Sequence, residues 1–371
     1  MNNVVAILGT QGGTCFSKNG FEVGLSRIGE NTGNSLFQYA INSLINNPKV
    51  FVDASTDPAY VRDTASILVI PAANQINPAW DLSSWASFVE RCDLPVACIG
   101  LGAQAEIDDS PKLTLQPGTV RFAKAVAERT QDIGVRGQYT QDVLEELGIR
   151  NTVITGCPSQ TINPTVSGQD IQAKLQALRT ESVERVAYIL GTLEEGARET
   201  ERLLAKIAAS HNHDLILQTD PALLRSVYTR SVSDHDQEHV RWIGATMRPD
   251  LTYEEYNNYL LSHGKFFSGA ATWIDTMRGY DVAFGMRIHG AVAAIQSGGV
   301  GICVAFDSRT RELAHTMGYP YVLADDIAST TSIADIAASA IFSPERFDHL
   351  KQVLGRRIRT LLMNAGCYLS S

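Results

Sequence analysis

The stretch from Phe284 to Gly290, Phe-Gly-Met-Arg-Ile-His-Gly, decides how the rest of the chain is understood. Strand-forming residues, Tyr280 to Phe284, precede it, and an alanine-rich apolar run, a Gly-Gly break and a second apolar run, Val300 to Phe306, follow it. This order predicts a strand, a tight turn, a helix and another strand. Arg287 would then lie at the carboxyl end of a parallel strand and His289 in the first turn of the next helix, where open α/β sheets bind their ligands.

The chemistry of that position favours an anionic ligand. A helix start presents backbone N–H groups and the positive end of the helix dipole, and Arg287 adds a permanent cation that can hold a phosphate or carboxylate with two hydrogen bonds. His289 suits proton transfer there, because an unperturbed histidine has a pKa of about 6.5. The structural alternative is that Arg287 pairs with a carboxylate of the protein and His289 caps the helix.

Length and charge limit the class of protein. The 371 residues favour two domains, and 44% hydrophobic with 19% charged residues is typical of a globular protein. The formal net charge of −9 and the lack of a basic stripe argue against nucleic acid as a partner.

The start of the chain lacks the basic residues of a secretory signal, and no apolar window approaches the roughly 20 residues of a membrane helix. We therefore expect a cytoplasmic protein without a transmembrane segment. The six cysteines include no C-x-x-C pair, which favours reduced, mostly buried thiols over disulfides or a zinc site.

Short apolar strands alternate with helical segments in two series, which predicts two parallel sheets with crossover helices. We place an amino-terminal Rossmann-like domain at residues 1–165, on the acceptor side, and a second at residues 185–342, carrying the anion site. The polar stretch between them, 158–184, is interpreted as the link. In the tail, 343–371, Pro344 to Tyr368 is predicted to form a long amphipathic helix that packs back across the junction. The predicted fold is α/β, with two Rossmann-like domains facing one another across a cleft.

A second arginine occupies the same kind of position. In Gly134-Val135-Arg136-Gly137, Arg136 ends a predicted strand just before a helix. The structural alternative for it is a surface ion pair.

Several amides at predicted loops suit hydrogen bonding to sugar hydroxyls. The loop before the helix predicted at Leu36 to Ile45 is rich in glycine and asparagine, and two further strands end in amides; for the amides at 74 and 75 a plain turn is the favoured alternative. The candidates for acceptor binding are Asn31, Asn34, Asn74, Gln75 and Gln104.

A charged segment, 230–239, contains Asp234, His235, Asp236 and His239. These could in principle bind a metal, but no helix or hairpin spacing supports that, so we interpret the segment as a solvated loop and predict no metal site.

Three blocks of the chain together resemble the polysaccharide pyruvyl transferase family. The first combines Gly134-Val135-Arg136 and its following helix with Gly156-Cys157-Pro158-Ser159, and the second is Arg287-Ile288-His289-Gly290 with the apolar run behind it. The third is Phe306-Asp307 with Glu312-Leu313 and Gly318. The resemblance extends from the amino-terminal glycine-rich loop to about residue 325.

Two positions depart from the usual pattern of that family. The family usually carries V-R-D at the first arginine, where this chain has Gly137, and N-x-G-D at the amino-terminal loop, where this chain has Asn34. The family fold is similar to the GT-B glycosyltransferases with two Rossmann-like domains.

The resemblance implies transfer of pyruvate from phosphoenolpyruvate to two hydroxyls of a sugar, as a cyclic ketal, in the synthesis of a surface polysaccharide or exopolysaccharide. It places Arg136 and Arg287 as a clamp on phosphoenolpyruvate, with Ile288, His289 and Gly290 beside them. His289 would be the acid that protonates the methylene carbon, and its N–H and that of Gly290 would contact the phosphate. The chemistry requires no metal or organic cofactor.

The acceptor is a saccharide, and the resemblance leaves open whether it is lipid-linked or nucleotide-linked. A lipid-linked acceptor would require peripheral contact with a membrane, although the chain has no basic amphipathic helix. Two alternatives remain: a GT-B glycosyltransferase that uses a nucleotide sugar, and a family member without catalytic activity.

Overall fold

The chain forms two β-sheets of six parallel strands each in a computed structural model that describes residues 3–104 and 112–370, apart from the side chains of residues 308 and 309. The first sheet has the strand order β2-β1-β3-β4-β5-β6. Its strands are β1 (Val5–Leu8), β2 (Lys49–Val52), β3 (Ile67–Pro71), β4 (Val96–Leu101), β5 (Ile133–Val135) and β6 (Thr152–Ile154).

Helices cover both faces of this sheet, as buried parallel strands require. They are α3 (Asn34–Leu44) on one face and α4 (Pro58–Thr64), α5 (Ser83–Cys92), α6 (Pro117–Ala127) and α7 (Gln138–Glu146) on the other. Two short helices between β1 and α3, α1 (Phe16–Asn19) and α2 (Phe21–Arg27), instead place Phe16 and Leu25 in the core of the second domain. A 3-10 turn, Pro158–Thr161, and the linking helix α8 (Gly168–Ala177) follow.

The second sheet has the order β12-β11-β10-β7-β8-β9. Its strands are β7 (Arg185–Ile189), β8 (Asn212–Ile216), β9 (Gly264–Lys265), β10 (Val282–Gly285), β11 (Gly301–Ala305) and β12 (Tyr321–Leu323). Its helices are α9 (Arg198–Ala209), α10 (Pro221–Thr229), α11 (Gln237–Met247), α12 (Tyr253–His263), α13 (Ala270–Met277), α14 (Ile288–Gln296), α15 (Ser308–Met317) and α16 (Ile333–Ser339). The sheets and helices confirm the predicted class of two Rossmann-like domains.

The two domains meet at the carboxyl ends of their strands. Thr14, in the loop after β1, donates its N–H to the Ser268 carbonyl (2.8 Å), and Thr32, just before α3, donates its N–H to the Gln218 carbonyl (2.9 Å). Phe16 and Phe37 of the first domain are buried in the hydrophobic core of the second. Because the domains share buried side chains and backbone hydrogen bonds, the loops at the two sheet edges are held against each other.

The last helix, α17 (Pro344–Asn364), connects the two domains. Phe347 near its start is buried in the core of the second domain, and Ile358 and Leu362 near its end are buried against the first sheet. Ser343 caps the helix by accepting the N–H of Arg346. The helix ends at Asn364, four residues before the predicted end.

The segment predicted to be a solvated loop, 230–239, is partly ordered by burial. Helix α11 begins at Gln237, and Asp236 just before it is 4% exposed. Both Asp236 carboxylate oxygens lie 2.7 Å from Arg225 Nη1, which holds the Asp236 pKa below its usual range against the opposing effect of burial. The prediction was wrong for Asp236, because its partner lies on a different helix that the sequence pattern did not link to it.

Candidate functional site

Arg287 lies where the sequence predicts, between the end of β10 and the start of α14. Gly285 allows the chain to leave the sheet there: its φ is +149°, and a Cβ would lie 2.0 Å from the carbonyl oxygen of Ile189 on β7. Arg287 is the N-cap residue of α14 in extended geometry, and its own side chain does not cap the helix start. Its Nε donates to the Gly191 carbonyl at 3.1 Å, which directs the side chain along the sheet edge.

His289 lies in the first turn of α14 and is 7% exposed. Its Nε2 is 3.6 Å from Cys157 Sγ, and its ring centroid is 5.9 Å from that of Phe37. Ser159 donates its hydroxyl hydrogen to Cys157 Sγ at 3.0 Å. Cys157, Ser159 and Phe37 therefore hold the imidazole from outside its own sheet.

The other residues of the predicted anion site serve the helix start. Ile288, the first residue of α14, packs against the core of the second domain. Gly290 lies against Ile189, where a Cβ would be 2.6 Å from Cδ1. Its N–H donates to the Arg287 carbonyl at 3.1 Å, so this N–H is engaged in the turn rather than directed only at a ligand.

The asparagine loop before α3 closes over the same place. A Cβ on Gly33 would lie 2.7 Å from Gln218 Oε1 and 3.1 Å from His289 Cβ, so a larger residue would force these neighbours to shift. Asn31 Oδ1 accepts the Gly33 N–H at 2.8 Å, and Asn34 Nδ2 donates to the Ile28 carbonyl at 2.9 Å. These two predicted acceptor-binding side chains shape the loop, and what the loop brings to the cleft is its backbone.

Arg136 is 5% exposed, so the alternative of a surface ion pair is wrong. Its Nε donates to the Gly100 carbonyl at 3.1 Å and its Nη1 to Asn74 Oδ1 at 2.7 Å. Asn74 Nδ2 in turn donates to Gln104 Oε1 at 3.5 Å, so two predicted acceptor-binding amides are linked to the first arginine.

Gln75, the remaining predicted acceptor-binding amide, has a separate contact. Its Oε1 accepts the Ala73 N–H at 2.5 Å within a local turn.

A carboxylate of the second domain reaches the start of the helix after Arg136. Glu312 on α15 accepts the Tyr139 N–H through Oε1 at 2.5 Å, at the first turn of α7. It fits because residue 137 is glycine: a Cβ there would lie 2.4 Å from Glu312 Cδ. The carboxylate therefore fills the space that the side chain of an acid at 137 would enter.

Glu201 on α9 is a buried acid behind Arg287. Its Oε1 accepts hydrogen bonds from the Gly191 N–H (2.6 Å) and the Tyr188 hydroxyl (2.8 Å). Burial raises the pKa of Glu201 to about 7, against the lowering effects of these two donors and of the Arg287 charge. Since Gly191 also accepts from Arg287, one residue connects the acid to the arginine.

Sequence reasoning missed Cys157, Glu312 and Glu201 as site residues. The first two stand in the blocks that carry the resemblance, but no rule assigned them a contact. Glu201 had a weak signal: it falls on the apolar face of α9, in line with Ala197, Leu204, Ala205 and Ala208, all buried.

Within residues 3–104 and 112–370 no group of three or more His, Cys, Asp or Glu side chains is placed to hold a metal ion. Over the same residues, no helix is long and apolar enough to cross a membrane.

Two facing Rossmann-like domains, with an arginine at each inner sheet edge and a histidine beside one of them, define a two-domain α/β protein with a candidate site in its cleft. The family model for polysaccharide pyruvyl transferases matches residues 16–308, well over half of the chain. The chain therefore belongs to the polysaccharide pyruvyl transferase family, as the sequence indicates. The match begins after the Gly9–Thr14 loop and ends before Glu312, so it is shorter at both ends than the predicted extent.

No protein of curated function matches the sequence. Among solved structures, HepE of Anabaena in complex with UDP and glucose is similar at 13% identity, with a TM-score of 0.46 over 98% of this chain and 100% of that chain. A putative UDP-N-acetylglucosamine 2-epimerase from Listeria monocytogenes is similar at 12% identity, with a TM-score of 0.43 over 96% of this chain and 95% of that chain. Similarities this low leave the substrates to be argued from the site.

Proposed function

We propose that this protein transfers pyruvate from phosphoenolpyruvate to two hydroxyls of a saccharide, forming a cyclic ketal and releasing phosphate. The observation that carries the proposal is the start of α14, where Arg287 and the buried His289 lie two residues apart at a helix N-terminus on the inner edge of the second sheet. Membership of the polysaccharide pyruvyl transferase family supports the reaction class.

The donor suits the charges at this place. Phosphoenolpyruvate carries a phosphate and a carboxylate on a three-carbon frame, and Arg287 with the N–H groups at the start of α14 can hold one of them. Arg136 lies across the cleft, where its fork is oriented by Gly100 and Asn74. Two fixed arginines from facing domains are a reasonable clamp for a molecule with two anionic ends.

The chemistry requires a proton on carbon before phosphate can leave. His289 as imidazolium gives its proton to the methylene carbon, the C=C electron pair forms the new C–H bond, and the adjacent carbon becomes an oxocarbenium ion. The first sugar hydroxyl adds to that carbon and returns its proton to His289. The C–O bond to phosphate then breaks, and the second hydroxyl adds as its proton passes to the departing phosphate. One hydroxyl proton replaces the proton that went to the methyl group, so His289 ends as it began.

The contacts of His289 suit an acid that must keep its orientation. Cys157 Sγ lies 3.6 Å from Nε2 and Phe37 packs beside the ring, so contacts from outside its own sheet orient the imidazole. Asn74 and Gln104 are the amides linked to Arg136, and we assign them to the saccharide side of the cleft. The saccharide itself, and any lipid or nucleotide attached to it, is left open by these contacts.

Ligand-dependent thermal stability tests the donor. At 100 times its dissociation constant, phosphoenolpyruvate should add about 2.7 kcal/mol to the free energy of unfolding of the wild-type protein. Arg287→Ala should lose this gain. Arg121→Ala, which breaks an exposed pair with Glu90 far from the cleft, should keep it.

Stabilisation by nucleoside diphosphates and not by phosphoenolpyruvate would replace the proposal with a nucleotide-sugar glycosyltransferase. Phosphate release that depends on an added saccharide, with a pyruvyl ketal detected on the sugar by mass spectrometry, would establish the transfer itself.

A further inference from the structure

Gln218 follows β8 at the inner edge of the second sheet, the edge that also carries Arg287, and the proposed function gives it no role. In the strand register, Ile189 of β7 pairs with Gly285 of β10 on one side and with Ile216 of β8 on the other. Arg287, Gly191 and Gln218 each follow their strand by two residues beyond that row. All three therefore lie at the same edge of the sheet, where Arg287 Nε donates to the Gly191 carbonyl.

The side-chain NH2 group of Gln218 is buried and has no hydrogen-bond partner among the described residues. The residue is 1% exposed, and within the described part of the chain nothing bonds its Nε2. Gln218 and His289 both lie close to Gly33. A Cβ built on Gly33 would be 2.7 Å from Gln218 Oε1 and 3.1 Å from His289 Cβ. The amide thus lies among the groups that surround His289.

A buried NH2 group without a partner destabilises the folded protein, because the hydrogen bonds to water that it loses are not replaced. The backbone of Gln218 is held in place, since its carbonyl accepts the Thr32 N–H at 2.9 Å from the facing domain. A bonding group that is rigidly placed, buried and unused, at the sheet edge where α/β proteins bind ligands, points to a ligand that completes it.

We propose that Gln218 is a substrate-binding residue that donates an N–H to an oxygen of the anionic donor molecule held by Arg287. This inference rests on the proposed function, which makes that donor phosphoenolpyruvate.

The choice of a neutral amide has a physical reason. A third cation beside His289 would favour its deprotonated form and remove the proton that the reaction needs. An amide adds a directed hydrogen bond to the anion without adding charge, and it stays a donor at every pH at which the protein is folded.

Gln218→Met tests the inference in the full-length protein. Methionine fills a similar volume without polar atoms, so the melting temperature without ligand should stay the same or rise. The dissociation constant for phosphoenolpyruvate, measured by calorimetry, should rise at least tenfold. In the transfer assay, KM for phosphoenolpyruvate should rise more than kcat falls.

Gln296→Met is the matched control. Gln296 is also a glutamine with 1% exposure in the same domain, but its amide is bonded to Asn163 and Tyr319 at the other end of α14. This variant should lower the melting temperature and leave phosphoenolpyruvate binding unchanged. Melting-temperature changes of opposite sign would distinguish an amide that binds a ligand, Gln218, from an amide that stabilises the folded protein, Gln296.

Gln218→Glu keeps the shape and places a carboxylate beside the anion, so it should weaken phosphoenolpyruvate binding more than Gln218→Met does. If wild type binds phosphoenolpyruvate and either Gln218 variant binds it equally well, the inference is wrong and the proposed function stands. A melting temperature of Gln218→Met that falls as far as that of Gln296→Met also overturns the inference. If wild type does not bind phosphoenolpyruvate, both fail together.

Discussion

The two inner sheet edges carry the same local arrangement, a strand followed by an arginine just before a helix. The groups that contact the arginine and the helix start differ between the two edges. After β5, Arg136 is bonded to a carbonyl and an amide, and the first turn of α7 is occupied by the Glu312 carboxylate. After β10, Arg287 donates to the Gly191 carbonyl, and the first turn of α14 carries His289. A helix start already holding a carboxylate is a weaker site for a second anion.

The comparison teaches that a strand-arginine-helix pattern does not by itself define an anion site. What differs is what the rest of the fold places at the helix start. At α14 this is His289 with its contacts to Cys157 and Phe37, and behind the arginine lies the ionisable Glu201. At α7 it is a structural carboxylate from the facing domain. We therefore expect proton transfer and bond breaking to take place at the edge with Arg287 and His289. The edge with Arg136 should orient the substrate.

The largest effect should come from removing the proposed acid. His289→Asn keeps a polar side chain of similar reach but cannot give a proton to carbon, so kcat should fall by roughly 10² to 10⁴. Binding of phosphoenolpyruvate should change little, because the arginines remain. His349→Asn, on the exposed side of α17, is the control. A His289→Asn enzyme with near-normal kcat would remove the acid from the mechanism.

The two arginines should differ in binding. Arg287→Ala should raise the dissociation constant for phosphoenolpyruvate by roughly 100-fold, as expected for a lost charge-assisted bond in a partly buried site. Arg136→Ala should raise it less and also lower the melting temperature, because it leaves the Gly100 carbonyl and Asn74 without their donor. Equal effects of the two variants on binding, measured by calorimetry, would contradict the contrast between the edges.

The free energy of unfolding should depend on pH through Glu201, which lies behind Arg287 at the second edge. Its pKa in the folded protein is about 7, above the ordinary value of 4.5, so the folded state binds more protons than the unfolded state between these two pH values. The free energy of unfolding should therefore fall as pH rises through this window, by roughly 3 kcal/mol, and level off above pH 7.

Glu201→Gln should flatten that fall in a series of denaturant titrations from pH 4.5 to 8. Glu199→Gln, a change at an exposed position on the same helix, should leave it intact. If the wild type and Glu201→Gln show parallel pH profiles, then Glu201 is not the group that titrates.

The smallest effect concerns the contact at the first edge. Glu312→Ala removes the carboxylate that caps α7 and should lower the free energy of unfolding by about 1 kcal/mol. Gly137→Ala should also destabilise, because its Cβ would lie 2.4 Å from Glu312 Cδ. Residue 137 has an extended φ of −170°, which alanine adopts readily.

The double variant decides whether these two residues compete for one space. In the Glu312→Ala background, Gly137→Ala should be nearly neutral, giving a coupling energy close to the whole cost of the single Gly137→Ala change. Additive costs in this cycle would mean that the glycine is required for another reason.

The local arrangement at both arginines could be predicted from the sequence because it depends on neighbours along the chain. Strand propensity before Arg287, glycine at the turn and the apolar run behind His289 act within about 20 residues. The same holds for the two-domain α/β class, which follows from the alternation of strands and helices. Helix and strand ends shifted by a few residues, as at α17, because caps rather than periodicity determine them.

By itself the sequence determined the class of fold, the places of Arg136 and Arg287 after strand ends and of His289 in the helix that follows, and the family. Only the tertiary structure decided what these residues touch. Cys157 meets His289 across 132 residues of chain, and Glu312 meets Tyr139 across 173. Such contacts depend on how the two domains pack together, and the residue pattern within either segment carries no information about that packing. The contacts that distinguish the two edges could therefore be found only in the tertiary structure.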